Sequence, residues 1–171
     1  MKYKKIALIG MMGSGKSTIS KLLSEKLNYN LFELDEIFEQ QEKTSIKEYF
    51  KNFGEENFRL KETEILKSTI LYNNIVISCG GGIVLKKENQ EILFNSDVLT
   101  IYLETDVENI YNRIKKDNQR PLLQVENPKE EIEKILNSRK ELYKKAQIKI
   151  QTNNKKPIEI IEEILETIWK N

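Results

Sequence analysis

The stretch Gly10-Met11-Met12-Gly13-Ser14-Gly15-Lys16-Ser17-Thr18 restricts what this chain can become more than any other. It follows a short apolar run, Lys5 to Ile9, and precedes an amphipathic one with Ile19, Leu22, Leu23 and Leu27 on one face, so it reads as strand, glycine loop, helix. The spacing is that of the Walker A phosphate loop. There the glycines let backbone N–H groups turn inward on a polyphosphate, Lys16 reaches the β and γ oxygens, and the Ser17 hydroxyl joins the shell of a Mg²⁺ ion. The dipole of the following helix points at the same phosphates. A plain glycine turn would not need this full pattern in its strand-to-helix setting, so a purine nucleotide is the expected ligand.

A loop of this kind needs a parallel sheet beneath it, and the rest of the chain supplies one. Short apolar runs alternate with longer amphipathic ones, with no internal repeat or low-complexity linker, which is the α/β pattern. Lys5 to Ile9, Asn30 to Leu34, Asn74 to Ser78, Asp97 to Leu103 and Gln147 to Gln151 are the candidate strands of a five-stranded parallel sheet. Thr44-Ser45 with Glu48 reads as a helix cap, Gly54 as a stop, and Glu55 to Leu71 as one long helix. The last helix starts at Pro157 and carries Ile158, Ile161, Ile164, Leu165 and Ile168 on one stripe, where Trp169 is expected to pack.

Length and composition close off other classes. At 171 residues and 39% hydrophobic the chain is expected to form one domain, 1–171, with a core of its own. Its 28 basic and 27 acidic residues nearly cancel, which gives no reason to expect a nucleic-acid or membrane partner. One cysteine, Cys79, excludes an internal disulfide, and the apolar run after Met1 to Lys5 is too short for a signal peptide, so a cytoplasmic location is expected. With no histidine, catalysis has to rest on carboxylate, lysine, arginine and metal.

Six of the seven glycines fall in two clusters, the phosphate loop and Gly80-Gly81-Gly82. The second follows the apolar run ending at Ser78, so it lies at a strand C-terminus, the edge where open parallel sheets bind ligands, and a substrate is expected to touch its backbone N–H groups. Asp35 follows the second strand at that same edge, and Glu33 precedes it by two residues with the same direction along the strand; both are candidates to face metal and substrate. Glu36 and Glu39 read as helix-end carboxylates.

Two further residues break the apolar faces they sit on. In the helix from Glu55, Glu62 lies on the buried stripe of Phe58, Ile65, Leu66 and Thr69, with Arg59 one turn away, so Glu62 is expected to hold that guanidinium and aim it at an anion. In the helix Lys129 to Lys145, Arg139 sits amid Ile132, Ile135, Leu136, Leu142 and Tyr143 while lysines occupy the outer face, and a ligand carboxylate is its natural partner. The polar segment 115–128, containing Arg120-Pro121-Leu122-Leu123, is long enough to be a mobile lid that brings Arg120 to a transferred phosphoryl group.

Taken together, the phosphate loop, the acid after strand two, Phe58-Arg59 with Glu62, the triple glycine, Arg120-Pro121-Leu122-Leu123, and Arg139 four before Tyr143 resemble the shikimate kinase family over essentially the whole chain. The resemblance implies a three-layer α/β/α P-loop kinase fold of the nucleoside-monophosphate-kinase type, with a substrate-binding helical region at about 35–62. It implies phosphorylation of the 3-hydroxyl of shikimate by ATP with Mg²⁺, on the route to chorismate and the aromatic amino acids, by a monomer. ATP would lie on Gly13, Ser14, Gly15, Lys16, Ser17 and Thr18, with Arg113 against adenine and the loop Thr152 to Pro157 closing over the base. Asp35 would bind and orient the ring hydroxyls, Arg59 and Arg139 the carboxylate, and the Gly80–Gly82 backbone a hydroxyl. Lys16 and Arg120 would stabilise the phosphoryl group. The family usually carries Asp-x-Asp after strand two, where this chain has Glu33-Leu34-Asp35; the longer Glu33 is expected to hold a metal-bound water.

The alternatives fit less of the chain. A GTPase needs a guanine-reading Asn-Lys-x-Asp, and Asn154-Lys155-Lys156-Pro157 lacks its aspartate. A nucleoside monophosphate kinase or a gluconate kinase shares the fold without explaining a triple glycine together with two carboxylate-seeking arginines. A non-catalytic nucleotide-binding module has no need of Asp35.

Overall fold

The computed structural model describes residues 3–115 and 125–170. Its elements run β1 (Lys5–Ile9), α1 (Lys16–Leu27), β2 (Asn30–Glu33), α2 (Leu34–Glu42), α3 (Ile46–Thr69), β3 (Ile75–Ser78), a 3₁₀ turn (Ile83–Leu85), α4 (Lys87–Leu93), β4 (Leu99–Glu104), α5 (Val107–Ile114), α6 (Pro128–Tyr143), β5 (Ile148–Gln151) and α7 (Pro157–Lys170). The strands pair in parallel in the order β2-β3-β1-β4-β5. All five expected strands are present.

Alternation along the central strands divides the core into two layers. Ile6 and Leu8 of β1 face α1 and α7 together with Leu99, Ile101 and Leu103 of β4. Ala7 and Ile9 face the other way, into a cluster built from α2, α3, α4 and the Tyr143 end of α6. The result is the expected three-layer α/β/α arrangement. No helix among the described residues is long and apolar enough to cross a membrane.

This topology opens one crevice. The chain leaves β1 toward α1 on one face of the sheet and leaves β3 toward α4 on the other, so the phosphate loop and the glycine loop diverge at adjacent strand ends. The register places Ser78 level with both Leu8 and Glu33, so the acid ending β2 stands beside the root of the glycine loop.

The local signals hold, with two corrections. Ser45 accepts the Glu48 N–H at 3.2 Å as the expected cap, and Glu39 Oε1 adds a bond to the Ile46 N–H at 2.9 Å, which gives that carboxylate its helix-end role. Gly54 interrupts the helical path as expected: at φ +80°, ψ 167° one helical stretch of α3 ends there, and a second runs on from it to Thr69. The buried stripe of α7 is Ile160, Ile161, Ile164, Leu165 and Ile168, whereas Ile158 is 47% exposed. Trp169 does not pack there and is 67% exposed, because one residue beyond Ile168 is about 100° around the helix from the stripe.

Candidate active site

The phosphate loop depends on backbone shapes that few side chains tolerate. Gly15, the residue before α1, holds φ +96°, which lets the chain turn from the loop straight into the helix. Lys16 folds back over the loop, its Nζ donating to Gly10 O and Met11 O at 3.0 Å each. A cleft of about 230 Å³ opens beside it, lined by Lys16, Ser17, Glu33, Asp35, Cys79 and Gly81 among others. Residues from three strand ends therefore converge on one space.

Ser17 and Glu33 line this cleft together, near enough for the hydroxyl to bear on the carboxylate. Burial raises the Glu33 carboxyl above its ordinary range; Ser17 and Lys16 work against that, while Glu36 and Asp35 add to it. No cluster of three or more acidic, cysteine or histidine side chains fit to cage a metal occurs among the described residues. A lone hydroxyl with one carboxylate behind it is the oxygen set that suits Mg²⁺ arriving with phosphates and most of its waters, so the residues present fit that ion.

Opposite the phosphate loop stands a charged cluster held inside the protein. Glu62 is 3% exposed, and its Oε2 accepts Arg59 Nη1 at 2.7 Å. Arg59 also reaches Glu55 at 3.2 Å, and its guanidinium lies 4.9 Å from the centre of the Phe58 ring. Burial raises the Glu62 carboxyl, with Arg59 pulling it back down by charge and hydrogen bond. A buried pair of this kind contributes little net stability, and its effect is to fix where the guanidinium points.

The triple glycine has a steric reason that the sequence did not reveal. A Cβ on Gly80 would lie 2.7 Å from Glu62 Oε1 and 3.0 Å from Asp35 Oδ1, and one on Gly82 would lie 2.1 Å from Arg59 Nη2. The space that side chains would fill is occupied by the protein's own charged groups. Because the atom in the way at Gly82 is the far end of a flexible side chain, Gly82→Ala should fold and displace Arg59. The expected outcome is a thermal midpoint within a few degrees of the parent and a KM for the anionic substrate raised about tenfold or more. A parental KM would show that Arg59 is not a binding group.

Arg139 is half-buried on α6, with Nη1 3.7 Å from the position a Gly81 Cβ would take, and its charge bears on the Tyr143 hydroxyl one turn further on. Asp35 and Gly81 thus line the cleft together with Lys16 and Ser17, while Arg59 and Arg139 flank the glycine loop beside it. Arg113 is placed differently: its Nη1 donates to Gly13 O and Ser14 O at 3.2 Å, and its Nη2 to Thr152 O at 2.8 Å. A second hollow of about 200 Å³ lies there, beside Gly15, Thr18, Arg113, Lys155 and Pro157. Of the expected lid, 116–124 lies outside the described residues, and Arg120 with it. Sequence reasoning missed the part played by the Tyr143 hydroxyl; a tyrosine one turn after an arginine on an apolar stripe was the available signal.

Cys79 is 2% exposed, and burial, with Glu62 and Asp35 nearby, pushes its thiol well above the ordinary range. The folded protein should therefore resist iodoacetamide at pH 8 and become alkylated only on unfolding in guanidinium chloride. Rapid alkylation of the native protein would contradict that environment.

The shikimate kinase family model matches residues 12–169. A shikimate kinase of Thermodesulfovibrio yellowstonii is 40% identical over 95% of this chain and 93% of its own length. The structure of the Acinetobacter baumannii shikimate kinase in complex with shikimate superposes with a TM-score of 0.93 at 34% identity, covering 99% of this chain and 94% of that one. A gluconokinase structure from Sinorhizobium meliloti reaches a TM-score of 0.63 at 16% identity, which is likeness of fold alone. Full-length agreement in sequence, matched by agreement in fold, has one reading: the chain belongs to the shikimate kinase family.

Proposed function

We propose that this protein transfers the γ-phosphoryl group of ATP to the 3-hydroxyl of shikimate, giving shikimate 3-phosphate and ADP. The observation that carries the reading is a glycine loop with Arg59 against Gly82 and Arg139 beside Gly81, whose Gly81 lines the same cleft as Lys16, Ser17 and Asp35. Two guanidiniums suit a substrate carboxylate, and the carboxylate of Asp35 suits ring hydroxyls. The likeness to a structure solved with shikimate supports the same choice over gluconate.

Phosphoryl transfer asks for positioning and charge neutralisation. Arg59, aimed by Glu62, and Arg139 hold the carboxylate, and Asp35 orients the attacking hydroxyl and takes its proton late. Lys16 and the N–H groups of Gly13, Ser14, Gly15, Ser17 and Thr18 hold the phosphates. Arg113, Lys155 and Pro157 border the hollow that suits the adenine base. When bound, Mg²⁺ neutralises phosphate charge; Ser17 would hold it, and Glu33 a water on it. Arg120 is the lid cation in this reading. The proposal places the enzyme in the cytoplasm as a monomer of one domain, on the route to chorismate.

ADP release measured separately with shikimate, gluconate and AMP as acceptors tests the reading. Shikimate should support turnover, with gluconate and AMP near background. Faster turnover with gluconate or AMP would overturn it.

A further inference from the structure

Every carbonyl of the glycine loop has a donor. Gly80 O accepts the Ile83 N–H at 3.1 Å and Gly82 O accepts the Leu85 N–H at 3.0 Å, both from the adjoining turn. Gly81 O is different, since its donor is the Tyr143 hydroxyl at 2.5 Å, from a helix 62 residues further along the chain. Among the described residues none of the three glycine N–H groups donates to a protein acceptor, so the loop's donors are left for a ligand.

A glycine peptide has no side chain to bias its orientation, so the Gly81–Gly82 plane is set by whatever binds its carbonyl. The peptide is rigid, and turning the carbonyl toward Tyr143 aims the Gly82 N–H the opposite way. Tyr143 is well suited to the task. It is fully buried, and its ring stacks on Tyr102 at 5.1 Å and 19°, which ties it to the centre of the sheet. Burial also raises its hydroxyl above the ordinary range, so it stays a phenol and keeps a proton to donate. Arg139, one turn earlier on α6, lies near enough for its charge to work against that rise.

We propose that Tyr143 is a positioning residue for the anion site: by donating to Gly81 O, with the Arg139 guanidinium beside the same glycine, the phenol fixes the orientation of the glycine-loop peptide next to that arginine. The inference rests on the shikimate reading above and adds to it a residue that touches no substrate.

Tyr143→Phe tests it, because the ring and its stack on Tyr102 are kept while the hydrogen bond to Gly81 O is lost. The expected result is a shikimate KM raised about tenfold to a hundredfold, a smaller change in kcat, and an ATP KM within about twofold. A merely structural role would instead lower the thermal midpoint and disturb both substrates alike, and that outcome overturns the proposal. In an Arg139→Met background the Tyr143→Phe change should still raise the shikimate KM, since the bond to Gly81 O acts on the loop peptide directly; loss of its effect in that background also overturns the proposal.

Should Tyr143→Phe fail to fold, a ring-fluorinated tyrosine at position 143, whose phenol ionises closer to neutrality, replaces it. Once ionised, this group has no proton for Gly81 O, so shikimate KM should climb with pH while that of the parent stays flat. The charged and titratable groups facing the phenol, namely Arg139 on α6, Arg59 and Glu62 on α3, and Tyr102 on β4, are common to both proteins, so the difference belongs to Tyr143. A pH-flat profile overturns the proposal. Failure of the parent enzyme to phosphorylate shikimate would instead sink the reading beneath it, and that is seen before any variant is made.

Discussion

Replacing Lys16 by Met lowers turnover of shikimate with ATP by about a thousandfold or more, while the protein stays folded. The side chain is half-buried, and its Nζ bonds two loop carbonyls at 3.0 Å, Gly10 O and Met11 O. Met keeps the length of the apolar stem, so what goes is a charge and two hydrogen bonds. Each such bond contributes roughly 1 kcal/mol, and Met11 O keeps the Ser14 N–H as a donor at 3.1 Å, so the thermal midpoint should fall by only a few degrees. The rate loss is far larger because a fixed cation stabilises charge that grows in the transition state inside a site with little water. Circular dichroism and ADP release on the same preparation separate the two effects. Turnover within tenfold of the parent would remove Lys16 from the chemistry.

Arg139→Met should behave in the opposite sense, sparing the ATP side and damaging the acceptor side. Loss of a charged, two-pronged contact to a carboxylate costs about 2 to 5 kcal/mol in shikimate affinity, a factor of roughly 30 to 4,000. ATP affinity without shikimate should change little. Stability should also change little, because Arg139 is half-buried and the Tyr143 hydroxyl it bears on still has Gly81 O to bond. Lysine at this position should restore only part of the affinity, since a point charge cannot reproduce the planar fork. A shikimate analogue without its carboxylate gives the control: it should bind the parent weakly and be almost indifferent to the substitution. Equal losses for analogue and shikimate, or unfolding of the variant with shikimate affinity intact, would assign Arg139 a structural role.

Charge and burial explain why the two variants diverge. Lys16 acts on a group that changes charge during the reaction, whereas Arg139 faces one whose charge stays the same from binding to release. Gly82→Ala belongs with Arg139, because it strikes binding through Arg59 and leaves Lys16 alone.

Much of this was legible in the sequence, where the physics is local. A strand, a glycine loop and a helix follow one another within Lys5 to Leu27, so the phosphate site needed no long-range information. Period two and period 3.6 placed the strands and helices, since burial of one face imposes those repeats regardless of what the face meets. Glu62 with Arg59, three residues apart on one helix, and Arg139 on an apolar stripe were visible for the same reason, as charges that a core does not accept without a partner.

Tertiary structure alone decided what those charges meet. The order β2-β3-β1-β4-β5 brings loops from β1 and β3 to adjacent strand ends on diverging faces, and no local pattern states that order. The glycines at 80 and 82 were marked by sequence as a ligand loop, yet the reason no side chain fits there is the Glu62, Asp35 and Arg59 groups packed against them. Arg113 gripping Gly13 and Ser14 from about a hundred residues away, and Tyr143 holding Gly81, are likewise contacts between distant segments. Trp169 shows the reverse limit: its hydrophobicity pointed inward, and its angle around α7 turned it out. The sequence by itself determined which elements form and which charged residues and glycines stand out from their apolar surroundings, because propensity, periodicity and the cost of burying charge act within a few turns of chain. Which of those residues face one another, and in what register, was settled only when the sheet was assembled, because that depends on packing between elements far apart in sequence.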